Sequence, residues 1–140
     1  MNLDPLVRFF ESITPESVSR FPEFYAENAW FKDPFNEVRG VETIQRIFSH
    51  MFGQVDEPRF VVSEQVADAN GAVLVWTLHY RSRGASNVEE LVIRGVSHLK
   101  FDADGKVAFH RDYWDTGEEL YMKIPLLGAL MRFLRRRLSV

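Results

Sequence analysis

Four polar side chains stand where an otherwise apolar chain could move protons: Asp33, Ser97, His110 and Asp112. A carboxylate taken into apolar surroundings holds its proton more tightly, and an imidazole less tightly. Both shifts bring such groups toward the range where they work as acids and bases. Asp33 closes a short strand-like run just before Pro34, and His110 and Asp112 lie two apart in the run 106–114. Side chains two apart on a strand share a face. If Asp33 points inward, so does Phe31. If Asp112 does, so do His110 and Trp114. If Ser97 does, so do Leu91, Ile93, Gly95 and Leu99. On the run 72–81 the bulky set Leu74, Trp76, Leu78 and Tyr80 takes the inner face, leaving His79 outside. The expected result is an apolar cavity holding two carboxylates, one imidazole and one hydroxyl. Residues i and i+2 are roughly 7 Å apart along a strand, so Asp112 is expected to meet groups across strands rather than His110.

Each of these residues also has a plainer reading. Asp33 before Pro34 can cap a turn. Asp112 can anchor the fold as a satisfied buried carboxylate, His110 can belong to the core or rim, and Ser97 can simply make room. His50 and His98 read as surface or core residues with no metal spacing between them. The run Asp102-Ala103-Asp104-Gly105 begins like a calcium loop, but the downstream ligands are missing, which leaves a hairpin turn. The chain has no Cys, so thiolate chemistry, disulfides and soft-metal sites are out. It carries no phosphate loop, nucleophile elbow or zinc-helix motif. No metal and no cofactor is expected.

The elements that must position these groups are legible from period and punctuation. Asp4-Pro5 reads as an N-cap followed by Pro at the first helical position, with Leu6, Phe9, Phe10 and Ile13 at helical spacing. Thr14-Pro15-Glu16 starts a second helix bearing Val18, Phe21 and Tyr25, bent at Pro22. A short strand covers 29–33. A third helix follows Gly40, with Ile44, Ile47, Phe48 and Met51 on one face. Strands are expected at 60–67, 72–81, 88–101 and 106–114, joined by turns at Asp68-Ala69-Asn70-Gly71 and at 102–105. A last helical stretch spans about 117–138, interrupted at Pro125. Helices and a short strand, then long antiparallel strands, then a helix describe an α+β fold with helices on one face of a curved sheet.

The 140 residues suit a single domain. Of these, 46% are hydrophobic and 12 are Phe, enough to fill a core and line a cavity. A net charge of −3 argues against general nucleic-acid binding. No secretory signal and no membrane-length apolar run is seen, so a cytoplasmic location is expected. Residues 118–140 form an amphipathic extension: Leu120, Ile124, Leu127, Met131, Leu134 and Leu138 make a stripe, and Arg132, Arg135, Arg136 and Arg137 crowd the last turns. Such a helix packs on the body or on a second subunit, or touches anionic lipid at a membrane surface.

The stretch Ala26-Glu27-Asn28-Ala29-Trp30-Phe31-Lys32-Asp33-Pro34 resembles the nuclear-transport-factor-2-like superfamily. That group includes ketosteroid isomerases, SnoaL-like polyketide cyclases and limonene epoxide hydrolases. Gly95-Val96-Ser97-His98-Leu99-Lys100-Phe101 and Arg111-Asp112-Tyr113-Trp114-Asp115 match as well, and the element order agrees. The resemblance implies a cone-shaped sheet over residues 1–117, closed by the N-terminal helices around a pocket for a small apolar molecule. It also implies a homodimer through the outer sheet face, where Val73, Val75, Thr77 and His79 lie.

Residue by residue, the isomerase general base corresponds to Asp33, while its oxyanion donors correspond to Phe9, which has no proton to give, and Ser97, a neutral hydroxyl. The hydrolase run on the last strand corresponds to Arg111–Asp115, so its Asp falls on Asp112. The hydrolase Arg-x-Asp pair has no counterpart in 76–81, and its water-positioning residues fall on Phe31 and Asp33. The cyclases need only one acidic acid/base group in the pocket. The reading carried forward is acid/base chemistry at Asp33, assisted by Asp112 or His110. The pocket would be lined by Phe9, Phe31, Trp76, Leu78, Tyr80, Ile93, Ser97 and Trp114. The alternative is a non-catalytic ligand-binding or dimerisation module.

Overall fold

A computed structural model describes residues 2–82, 90–119 and 133–138. Its elements run α1 (Asp4–Glu11), a 3-10 turn (Ser17–Arg20), α2 (Phe21–Phe24), β1 (Tyr25–Lys32), β2 (Glu37–Arg39), α3 (Val41–Gln54), β3 (Val55–Asp68), β4 (Gly71–Ser82), β5 (Glu90–Phe101), β6 (Val107–Tyr113) and α4 (Thr116–Glu119). The six strands form one curved, unclosed mixed sheet in the order β2-β1-β6-β5-β4-β3. β1 runs parallel to β6, and the other neighbours are antiparallel. This is the α+β architecture expected from the sequence.

α1 begins at Asp4, one residue earlier than the Pro5 start anticipated, and the Asn2 side chain accepts the Asp4 N–H at 3.0 Å. Its apolar positions Leu6, Val7, Phe9 and Phe10 are all buried. The second helix expected through Tyr25 does not form as one piece. Pro22 has no N–H and crowds the turn before it, so a 3-10 turn hands over to the four-residue α2. Tyr25 is already extended (φ −114°, ψ 141°) and opens β1, four residues ahead of the expected strand. β3 likewise begins five residues before the expected Phe60. It passes Pro58 through a register shift between Asp56 and Arg59, with Glu57 at φ 53°. Proline is tolerated in strands at such bulges. β2 is short and half-exposed, and no periodicity signals it.

α3 covers the concave face, reaching β1 on one side and β3 on the other. Ile44 and Phe48 are buried beneath it. The core between helices and sheet joins Phe9, Phe10, Phe21 and Phe48 to Tyr25, Phe31, Leu74 and Leu99. Stacked and edge-on rings recur through it: Phe9 lies 4.6 Å from Phe24, and Phe21 lies 4.8 Å from Phe48. Of the C-terminal extension, 133–138 is helical, with Leu134 and Leu138 exposed. Leu120, Ile124, Leu127, Met131 and Arg132 fall outside the described residues, as do Val88 and Glu89. Among the described residues, no helix is long and apolar enough to cross a membrane.

Candidate active site

Strand alternation delivers the inner-face residues. β4 turns Leu74, Trp76 and Tyr80 inward. β5 turns Ile93, Gly95, Ser97 and Leu99 inward, and β6 turns His110 toward the same core. Antiparallel register sets Ser97 directly opposite Asp112, and Trp76 directly opposite Gly95. A Cβ on residue 95 would stand 2.4 Å from the Trp76 ring, so the indole lies across the glycine. That close approach explains a glycine inside a strand.

A chain of hydrogen bonds crosses this face. The Trp76 indole N–H donates to Ser97 Oγ at 2.8 Å, and Ser97 Oγ donates to Asp112 Oδ1 at 2.5 Å. His110 Nε2 meets the same Oδ1 at 2.6 Å, and His110 Nδ1 meets the Tyr25 hydroxyl at 2.6 Å. Donor chemistry orients the chain. Indole only donates, so the Ser97 proton goes to Asp112. Burial first, and the Asp112 charge second, push the Tyr25 phenol well above its ordinary pKa. Tyr25 therefore keeps its proton and donates it to Nδ1, which leaves the imidazole proton on Nε2, facing Asp112. His110 is 2% exposed and Asp112 15%. Among the described residues, Asp112 Oδ2 has no hydrogen-bond partner. Every fully buried side-chain oxygen or nitrogen has one, so Oδ2 is open to the space beside it.

That space is a cavity of about 780 Å³ between α3 and the sheet. Its wall includes Asp112 and Asp33 together with Phe31, Phe48, Phe60, Trp76, Leu78, Tyr80, Ile93 and Trp114. Phe35 meets Trp114 edge-on at 5.6 Å in the same wall. A second void of about 20 Å³ touches Ser97, His110, Asp112 and Phe10, room for roughly one water molecule.

The SnoaL-like domain family matches residues 6–110. The chain belongs to that family. Solved structures agree on the fold. A protein provisionally assigned as a SnoaL-like polyketide cyclase from Jannaschia sp. CCS1 superposes with a TM-score of 0.69 at 16% identity, over 81% of this chain and 84% of that one. A protein with a ketosteroid isomerase-like fold from Catenulispora acidiphila DSM 44928, in complex with trimethylamine, gives 0.69 at 10% identity, over 84% and 88%. TsrD from Streptomyces laurentii gives 0.67 at 17%, over 91% and 92%. Among curated proteins, none matches significantly.

Within this SnoaL-like domain, the expected lining residues separate into two groups. Phe31, Trp76, Leu78, Tyr80, Ile93 and Trp114 line the large cavity. Phe9 is buried among Phe10, Phe21 and Phe24 and does not reach it. Ser97 and His110 stand behind Asp112, against the small void. Asp33 sits in the turn after β1. Its Oδ1 accepts the Phe35 N–H at 2.8 Å, the Asn36 N–H at 2.6 Å and the Asn36 side-chain amide at 3.1 Å. The turn-capping role is therefore present, in a residue that also lines the cavity.

Asp112 makes the contact across strands that was expected, at Ser97, and the less expected pair with His110 forms beside it. Both side chains lean along the strand toward each other and close the gap that backbone spacing leaves. The ring is held in place by the Tyr25 hydroxyl and by Phe31, 4.8 Å away. Tyr25 was not anticipated in the site, because its helical spacing from Val18 and Phe21 disguised a strand start. Arg46 and His50 of α3 also line the cavity, next to Ile47, Phe48 and Met51. The apolar stripe beside them was the available signal.

Proposed function

We propose that this SnoaL-like domain is an acid/base enzyme that moves a proton within a small apolar substrate, with Asp112 as the proton-transfer group. The observation that carries the reading is the division of labour on one carboxylate. Oδ1 is held by Ser97 and His110, while Oδ2 has no hydrogen-bond partner among the described residues and Asp112 lines the cavity. A base must be oriented as well as basic, and two short bonds to one oxygen orient the other. Oδ2 takes a proton from a carbon next to a carbonyl, leaving an enolate and a neutral Asp112. Returning that proton at another carbon is isomerisation. Attack of the enolate carbon on a second carbonyl of the same molecule, whose oxygen takes the proton back from Asp112, is cyclisation. Activation of a water by the same oxygen would give hydrolysis.

Asp33 supplies the second carboxylate of the cavity, with Oδ1 occupied by the turn and Oδ2 accepting the Asn36 side-chain amide at 3.2 Å. That occupancy favours Asp112 as the base and gives Asp33 a binding or secondary acid role. Deuterium uptake from D2O into a panel of enolisable carbonyl compounds, followed by NMR, tests the assignment. Asp112→Asn should abolish uptake with the fold intact, and Asp33→Asn should reduce it less. Undiminished uptake in Asp112→Asn removes the proposal. A homodimer through the outer sheet face at Val73, Val75, Thr77 and His79 belongs to the same reading, and a monomer in sedimentation removes that part.

A further inference from the structure

We infer that the cavity takes an amphipathic anion, an apolar molecule whose carboxylate is held at the α3 rim by Arg46 and His50. The inference rests on the cavity being a small-molecule site and goes on to name the class of molecule. The sheet contributes apolar wall and acid: Trp76, Leu78 and Ile93 line the cavity together with Asp112. The helix contributes the basic groups. Thr43, Arg46 and His50 all line the cavity, and steps of three and four residues put them along one face of α3. Arg46 and His50 are exposed while bordering the cavity, so both sit at its mouth.

Arg46 is the guanidinium in this wall, and it forms no ion pair with any described residue, although Glu42 stands one turn away. A guanidinium presents a planar fork that fits a carboxylate with two parallel N–H bonds. An imidazole N–H and a threonine hydroxyl on the same helix face add further donors. A ligand carboxylate is repelled by Asp33 and Asp112 and attracted by Arg46. The charges thus fix which end of the molecule enters first, and the apolar end is carried toward Trp76 and Asp112.

Calorimetric titration of the full chain with decanoate, decan-1-ol and decylammonium tests this with one tail and three heads. A charge-assisted pair at a partly desolvated rim is expected to favour decanoate over decan-1-ol by about tenfold. Arg46→Gln, an exposed substitution, should erase that preference and leave decan-1-ol affinity within about twofold. Equal binding of decanoate and decan-1-ol by the wild type overturns the inference. So does a preference for decylammonium, binding of none of the three, or an Arg46→Gln protein that keeps the preference. Head-group preference and deuterium uptake are separate readouts, so failure of the Asp112 assignment leaves this test standing, and the reverse holds too.

Discussion

Replacing Tyr25 with Phe removes a single oxygen from the end of the hydrogen-bond chain. Tyr25 is 1% exposed, and its hydroxyl is 2.6 Å from His110 Nδ1. The ring would stay packed against Phe21 and Phe10, so the loss is almost purely polar. His110 is itself 2% exposed, with Phe31 and Phe10 against its ring. Nδ1 would then be a buried acceptor without a donor, which costs about 1–3 kcal/mol. For a domain of this size about 2 kcal/mol corresponds to a fall of roughly 6 °C in Tm. A second effect follows from the same atom. With no hydroxyl to donate to Nδ1, the imidazole loses one of its two anchors, while Asp112 still accepts from Nε2. Urea denaturation reads the first effect. The ¹⁵N shifts of His110 read the second: Nδ1 carries a hydrogen bond in the wild type and none in Tyr25→Phe, with the proton on Nε2 in both. A change below about 0.5 kcal/mol, the range of neutral surface substitutions, with the Nδ1 shift unchanged, would refute the orientation assigned to the chain.

Two further outcomes follow from the same packing. Gly95→Ala should destabilise the protein by about 1–3 kcal/mol through overpacking, because the new methyl meets the Trp76 ring while Phe60 lies edge-on to it at 5.5 Å; wild-type stability in urea would show that the indole is free to move. Stability should also fall as pH rises above about 10, the ordinary phenol pKa. The folded state keeps the Tyr25 proton where the unfolded chain releases it, so the advantage of folding is complete below that pH and shrinks above it. Tyr25→Phe should flatten this alkaline slope, and an equal slope in both proteins, measured by denaturation across pH, would sink the assignment.

The long strands and their facing were legible because alternation over eight or more residues repeats one signal. Leu74, Trp76, Leu78 and Tyr80 could scarcely face anywhere but the core. Gly95 was placed on the inner face by the same alternation, while the indole lying across it was not foreseen. The start of β1 was hidden, since Val18, Phe21 and Tyr25 fit a helix as well as a broken turn and a strand, and only the proline geometry decides between them. The bond between His110 and Asp112 was less expected for a different reason. Backbone spacing bounds how far apart two side chains begin, and not how far they lean. The cavity's helical wall was half visible: the stripe Ile44, Ile47, Phe48 and Met51 located it, while the polar residues flanking that stripe looked like an ordinary solvated face. Phe9 shows the converse, a residue assigned to the pocket by position in a family pattern and taken by local packing into the aromatic core.

The three indoles of the chain occupy three different settings. Trp30 stacks on Phe109 at 4.8 Å on the outer side of the sheet, Trp114 lies against Phe35 in the cavity wall, and Trp76 sits deeper in that wall with its N–H bound to Ser97. Indole emission shifts in colour and intensity with the polarity and quenchers around the ring. Filling the cavity changes the surroundings of Trp76 and Trp114 and leaves those of Trp30 alone. The protein therefore carries its own optical gauge of occupancy, with an internal reference on the opposite face. A Trp114→Phe variant would narrow the signal to the ring that touches Asp112's own hydrogen-bond chain, so that ligand entry and disturbance of the site could be followed as one spectral change, without a label and before any turnover is known.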